Sequence, residues 1–118
     1  MAAGDLTKLK LSGSTDGKNI KVAATATAGT LLHTAHATDL DEIYLYACLP
    51  SATDREVEIE WGEAADPDGR TTVTIPANAG WVPVVEGLLL TNSLVARAFC
   101  AAAANEVIMN GYVLRHGQ

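Results

Sequence analysis

The chain has 118 residues, the length of one compact domain and too short for a second independent one. Hydrophobic residues make up 48% and charged residues 19%, a composition typical of a folded chain rather than a disordered one. Lys and Arg number 8 against 14 Asp and Glu, and the net charge of −6 argues against a nucleic-acid partner, because phosphate backbones are held by clustered Lys and Arg.

The first 15 residues show a weak alternation in which Lys8 and Lys10 point outward. The apolar positions of this segment are Leu6, Leu9 and Leu11. Charges interrupt it, so it lacks the apolar core of a signal peptide, and no later stretch approaches the roughly 20 apolar residues that cross a membrane. We therefore expect folding in the cytoplasm and no membrane partner. Our hypothesis is that residues 1–15 form an extended arm whose leucines contact a partner.

Two short strands are predicted next, over residues 20–27 and 30–34. His33 and His36 lie at the end of the second strand, three positions apart, which places them on opposite faces. A zinc site needs about four ligands, and no second Cys or His pair accompanies these two, so we expect no metal site. His116, near the other end of the chain, is interpreted as solvated.

Three runs are apolar at nearly every position: residues 43–49, 94–100 and 107–114. A strand of this kind is covered by a facing sheet on one side and by a neighbouring element or a partner subunit on the other. Cys48 and Cys100 fall inside the first two runs, and we interpret both as small core residues rather than as a disulfide or a catalytic thiol.

Residues 56–61 show the clearest period of two in the chain. The glutamates Glu56, Glu58 and Glu60 occupy one face, and the apolar Val57, Ile59 and Trp61 occupy the other. The pattern predicts a strand with one buried and one wet face. We interpret the acidic face as solvated, where it would repel edge-to-edge association.

Further strands are predicted over residues 72–75 and 81–85. Residues 66–69 are predicted to form a turn after the strand at 56–61 and before the strand at 72–75. Asp-Pro-Asp-Gly in that turn resembles part of a calcium loop, but further acidic ligands at the required spacing are missing. We expect a plain turn with Gly69 at a positive φ. Trp61 and Trp81 are either core residues or, because Trp is enriched at interfaces, subunit contacts. Together with the three leucines of the first segment they are our candidate interface residues.

About eight short strands separated by turn signals predict an all-β, single-domain β-sandwich or jelly roll over residues 1–118. Nucleophile-elbow, dinucleotide and phosphate-loop motifs are missing from the sequence. The three histidines and the acidic residues form no recognisable catalytic pair. We therefore expect no enzymatic activity and no cofactor.

Four stretches of the chain resemble a family of small tailed-bacteriophage virion proteins. They are residues 29–34, residues 41–48 running on to 58–62, residues 75–77 with Gly80, and Asn105 with residues 111–115. They extend over most of the chain, and the motifs are structural rather than catalytic. The resemblance implies a β-sandwich component of the virion, assembled in the host cytoplasm, with no catalytic residues to transfer.

Within the virion, the resemblance implies first a decoration or cement protein that binds the major capsid protein on the outside of the head. We expect a homotrimer, because trimers suit the local three-fold positions of an icosahedral shell. A head–tail connector, neck or tail component is the first alternative. The second is a carbohydrate-binding β-sandwich, for which Trp61 near Glu63 and Asp66 is the candidate site.

Overall fold

The computed structural model describes residues 2–118, which form nine β-strands and no helix. The strands are β1 (Leu6–Lys10), β2 (Ile20–Lys21), β3 (Thr30–Thr34), β4 (Leu40–Cys48), β5 (Arg55–Trp61), β6 (Arg70–Ile75), β7 (Val82–Leu90), β8 (Val95–Phe99) and β9 (Ile108–His116). The all-β prediction is confirmed. The strand predicted over residues 20–27 is reduced to the two residues of β2.

The strands form two antiparallel sheets. One has five strands, in the order β1-β9-β4-β7 with β2 paired to β9, and the other has four, in the order β3-β8-β5-β6. When β2 is set aside and the other eight strands are lettered B to I in chain order, the sheets are B-I-D-G and C-H-E-F. This is the strand order of a jelly roll, so the predicted β-sandwich has jelly-roll topology.

The core lies between the two sheets and is built by alternate residues of each strand. In β4 every second side chain is buried, including Ile43 and Leu45, and in β5 Val57 and Ile59 are buried in the same way. Each such side chain contributes about 1.5–3 kcal/mol by leaving water. The period of two in the sequence is thus the period of burial.

The N-terminal segment differs from the predicted arm. β1 pairs with β9 along its whole length, from Leu6 opposite His116 to Lys10 opposite Tyr112. Immediately after it, Leu11 has no exposed surface and belongs to the core. The segment is therefore an edge strand of the five-stranded sheet, because its backbone pairs with β9 of the same chain.

Two local predictions also differ from the structure. Gly69 does not have a positive φ; the reason for a glycine there is close approach, because an added Cβ would lie 2.5 Å from the carbonyl oxygen of Glu63. Both cysteines are free, as predicted, but only Cys100 is buried, while Cys48 is half-buried at the end of β4.

Candidate binding surfaces

The three leucines predicted as interface residues are placed in three different environments. Leu6 is 60% exposed at the start of β1, whereas Leu9 is half-buried and packs against the core. Leu11 has 0% exposure and contributes no surface to a partner. Of the three, Leu6 is the one that a partner could reach, and the interface role of this segment stays a prediction.

The two tryptophans also lie apart. Trp61, at the end of β5, is half-buried against the core, and its indole Nε1 donates a long hydrogen bond of 3.4 Å to the carbonyl oxygen of Leu89 on β7. The indole of Trp61 therefore points from the four-stranded sheet toward the five-stranded sheet. Trp81, just before β7, is 48% exposed and lies on the outer face of the five-stranded sheet.

An aromatic row occupies that outer face. Tyr44 on β4 lies opposite Tyr112 on β9, and their rings stack with centroids 4.7 Å apart and planes inclined by 12°. Tyr46, two residues along β4, has its ring 6.5 Å from that of Tyr112. The Nζ of Lys8 on β1 lies 4.7 Å from the centre of the Tyr112 ring, close enough for a cation–π contact.

A groove of about 460 Å³ lies at one end of the aromatic row. Its lining residues are Asn19, Tyr46, Trp81, Asn110, Gly111 and Tyr112. Asn110 is held on both sides of its amide: its Nδ2 donates to the carbonyl oxygen of Gly17 and to the Oδ1 of Asn19, and its Oδ1 accepts from the backbone N–H of Gly111. The groove thus joins exposed aromatic rings to a fixed pair of amides. We name it the aromatic groove.

A second exposed surface follows β7, which is the last strand of the five-stranded sheet and pairs with β4 on one side only. Leu88 is 55% exposed and Leu89 is 50% exposed, although they are consecutive and their pairing partners, Ile43 and Glu42, point to opposite faces of β4. Both sides of this free edge therefore carry a leucine. We call Leu88, Leu89 and the open edge of β7 the leucine edge.

A buried ionic cluster lies where β4 begins and β9 ends, and it was not predicted from the sequence. Asp41 on β4 has no exposed surface and accepts two hydrogen bonds from Arg115, at 2.7 and 3.0 Å. The Nε2 of the buried His33 lies 2.7 Å from the same carboxylate, and the backbone N–H of His36 adds a bond of 3.3 Å. Such a network satisfies the charge of Asp41 inside the sandwich.

Hydrogen bonds determine the tautomer of His33. Its Nδ1 accepts from the backbone N–H of Ser12, so the proton is on Nε2, from which it is donated to Asp41. Burial lowers the pKa of His33 and outweighs the hydrogen bond that His33 donates to Asp41, which raises it. For Asp41, burial alone raises the pKa, but the hydrogen bonds from Arg115 and His33 prevail and lower it. The pair is a neutral imidazole beside a carboxylate.

His116 was predicted to be solvated, but it lies in β9 and its Nε2 is 2.9 Å from Glu42 Oε1. The other oxygen of Glu42 accepts from the hydroxyl of Tyr44, and this hydrogen bond raises the pKa of Tyr44 to about 12. Glu42 therefore connects the end of β9 to the aromatic row.

The outer face of the four-stranded sheet is polar, and it contradicts the predicted acidic ladder at one position. Glu56 is exposed and Glu58 is half-buried, but Glu60 is 2% exposed. Its carboxylate accepts hydrogen bonds from the backbone N–H of Gly29, at 2.6 Å, and from the hydroxyl of Thr27. The loop before β3 covers Glu60, so this carboxylate anchors a loop instead of facing water.

No protein-family model matches the chain, and comparison with curated proteins and with solved structures finds no significant match either. Within residues 2–118, no group of three or more His, Cys, Asp or Glu side chains is arranged to hold a metal ion. The same residues include no helix that is long and apolar enough to span a membrane.

Proposed function

We propose that the chain is a structural protein of a tailed-bacteriophage virion, a capsid decoration or cement protein that binds the outer surface of the head as a homotrimer. The observation that carries this proposal is the leucine edge. The resemblance of the four stretches named above supports the place in the virion.

The leucine edge has the properties of an assembly surface. A free strand edge offers unpaired N–H and C=O groups, and globular proteins commonly protect such edges with charges, Pro or short strands. β7 is nine residues long and carries two half-exposed leucines near its end. Covering the exposed half of each leucine contributes about 1 kcal/mol, and strand pairing adds directed hydrogen bonds. Pro83 lies near the other end of β7, so the pairing surface is the part that contains the leucines.

The mechanism follows from mass action. A cement protein that bridges neighbouring capsomers binds the assembled shell and not its separated parts, so its binding free energy is added to the stability of the shell. Three copies joined as a trimer bind the shell at several points, which strengthens attachment without a large contact in any one copy. In this way a small domain can stabilise a large particle.

The first test counts copies of the chain in purified particles of the phage that encodes it, by quantitative mass spectrometry. A decoration protein gives on the order of hundreds of copies, whereas a connector, neck or tail component gives about six or twelve. A copy number of zero contradicts the virion assignment.

The second test uses two matched leucines. Leu89→Lys charges the leucine edge, and Leu31→Lys places the same charge on β3, one of the two edge strands of the other sheet, where Leu31 is 36% exposed. We expect Leu89→Lys to abolish co-sedimentation with particles that lack the native protein, and Leu31→Lys to retain it. Equal binding by both variants contradicts the role of the leucine edge.

A further inference from the structure

We propose that the aromatic groove is a binding site for a neutral carbohydrate. The proposal does not rest on the virion assignment, because the aromatic groove lies on the outer face of the five-stranded sheet and uses none of the residues of the leucine edge. It also differs from the sugar site predicted around Trp61, whose indole is half-buried and directed at β7.

The aromatic side chains form the apolar half of the site. Trp81 is 48% exposed, and Tyr46 and Tyr112 line the same groove. The faces of aromatic rings are negative, so the rings of Trp81 and Tyr46 attract the polarised C–H groups on the apolar face of a sugar ring. Tyr112 supports them from the side, because Tyr44 and Lys8 already lie against its ring. The stack of Tyr112 with Tyr44 and the hydrogen bond from Tyr44 to Glu42 hold the row in place before any ligand arrives. Little side-chain entropy is then lost on binding.

The amides of Asn110 and Asn19 form the polar half. Because the Nδ2 of Asn110 donates to the Oδ1 of Asn19 at 2.9 Å, the Nδ2 of Asn19 is left as the donor of the pair. The carboxamide oxygens keep further acceptor capacity. A sugar hydroxyl both donates and accepts, so it can match this pair.

The charge of the lining residues favours a neutral ligand. All six lining residues are uncharged, in a chain whose net charge is −6. Lys8 borders the groove, because its Nζ lies over the ring of Tyr112, but it is not one of the lining residues. The net charge of −6 disfavours an anionic ligand. The volume of about 460 Å³ lies within the usual range for small-molecule sites. A proline-rich peptide also docks on aromatic rings, but prolines have no N–H to satisfy the acceptor oxygens of the amide pair.

The test uses the two tryptophans, which are the only ones in the chain, as separate fluorescent reporters. Trp61→Phe leaves Trp81 as the reporter in the groove, and Trp81→Phe leaves Trp61 outside it. The probes are neutral hexasaccharides of glucose, mannose, galactose and N-acetylglucosamine, with a hyaluronan hexasaccharide and a decaproline peptide as the anionic and peptide alternatives.

We expect at least one neutral hexasaccharide to change the emission of the Trp61→Phe variant saturably, with no change in Trp81→Phe. In isothermal titration with that sugar, Trp81→Ala and Asn19→Ala should weaken binding at least tenfold, whereas Leu89→Lys should bind normally, which separates this site from the leucine edge. Thermal unfolding of each variant shows that it is folded. The proposal is overturned if no neutral sugar produces the change, if decaproline or hyaluronan alone produces it, or if Trp81→Ala binds as tightly as the native chain.

Discussion

The two antiparallel sheets of the sandwich cover the same core, but the side chains on their outer faces differ in chemistry. The five-stranded sheet presents stacked tyrosines, an exposed tryptophan and an edge strand that carries leucines. The four-stranded sheet presents glutamates, threonines and arginines, and its edge strand β6 carries threonines at its exposed positions. Because both sheets cover the same core, stability does not require this difference. We infer that the five-stranded sheet is the binding side of the molecule and the four-stranded sheet its solvent side.

The largest difference in stability effects between the two sheets is expected at two carboxylates, one buried and one half-exposed. Asp41 is fully buried in the five-stranded sheet, while Glu58 on the four-stranded sheet forms a half-exposed pair with Arg70 at 3.9 Å. We expect Asp41→Asn to lower the free energy of unfolding by about 3 kcal/mol, since Arg115 loses its charged partner. Glu58→Gln should cost less than about 1 kcal/mol. Urea denaturation of both variants measures the difference, and equal losses contradict it.

Glu60 lies on the four-stranded sheet but is buried, and its substitution is expected to give the next largest loss of stability. Glu60→Ala removes the acceptor for Gly29 and Thr27, and we expect a loss of about 2 kcal/mol in urea denaturation. The matched control is Glu56→Ala, four positions earlier on the same face, where the change should stay within about 0.5 kcal/mol. If the two variants lose the same amount, the loop before β3 does not depend on this carboxylate.

The pH dependence of stability tests the ionic cluster itself. His33 has a folded pKa below its ordinary value of 6.5, because of burial, so the unfolded chain binds more protons in the window just below that value. Stability is therefore fully present above pH 6.5 and is lost as the pH falls below it. Protonation would also place an N–H of His33 against the N–H of Ser12. The other charged groups that act on His33 are Asp41, Arg115 and Lys10.

The measurement is the free energy of unfolding at pH values from 7.5 to 5, for the native chain and for His33→Gln. We expect the native chain to lose stability through this range with a slope of at most one proton, and the variant to show a shallower slope. A native chain that gains stability as the pH falls from 7 to 6, where His33→Gln does not, contradicts the lowered pKa of His33. Below pH 3.8, where the lowered pKa of Asp41 becomes relevant, both chains should lose stability further.

The smallest effect on stability is expected for substitutions on the edge strands β7 and β6. Leu88→Lys on β7 and Thr74→Lys on β6 both add a charge to an exposed edge position and should change the free energy of unfolding by no more than about 0.5 kcal/mol. Their effects on assembly should differ. Co-sedimentation with particles that lack the native protein should be retained by Thr74→Lys and lost by Leu88→Lys, and retention by both variants would exclude Leu88 from the particle contact.

The strands were largely predictable because their signal is local. The alternation in residues 56–61 predicts β5, and the apolar runs at 94–100 and 107–114 fall on β8 and β9 within a few residues. Bounds were less predictable: the strand expected to end at residue 85 continues to Leu90, because β4 provides pairing partners that far.

The candidate sites were much less predictable because they depend on register. Nothing local separates Glu60 from Glu58, since the loop that covers it comes from about 30 residues earlier in the chain. His33, Asp41 and Arg115 meet only because β3, β4 and β9 converge. One signal was present: Tyr44 and Tyr46 alternate in β4 and so share a face, but the position of Tyr112 beside them required the pairing of β4 with β9.

The most direct test of the proposed binding side is hydrogen–deuterium exchange of the protein, free and mixed with particles of the phage that we propose encodes it. β7 (residues 82–90) is an edge strand of the five-stranded sheet, and β6 (residues 70–75) is an edge strand of the four-stranded sheet. The backbone amides of these two strands serve as paired reporters. We predict strong protection of β7 on binding and unchanged exchange in β6. Protection of β6 with unchanged exchange in β7, or no difference between the free and particle-mixed protein, would contradict the account.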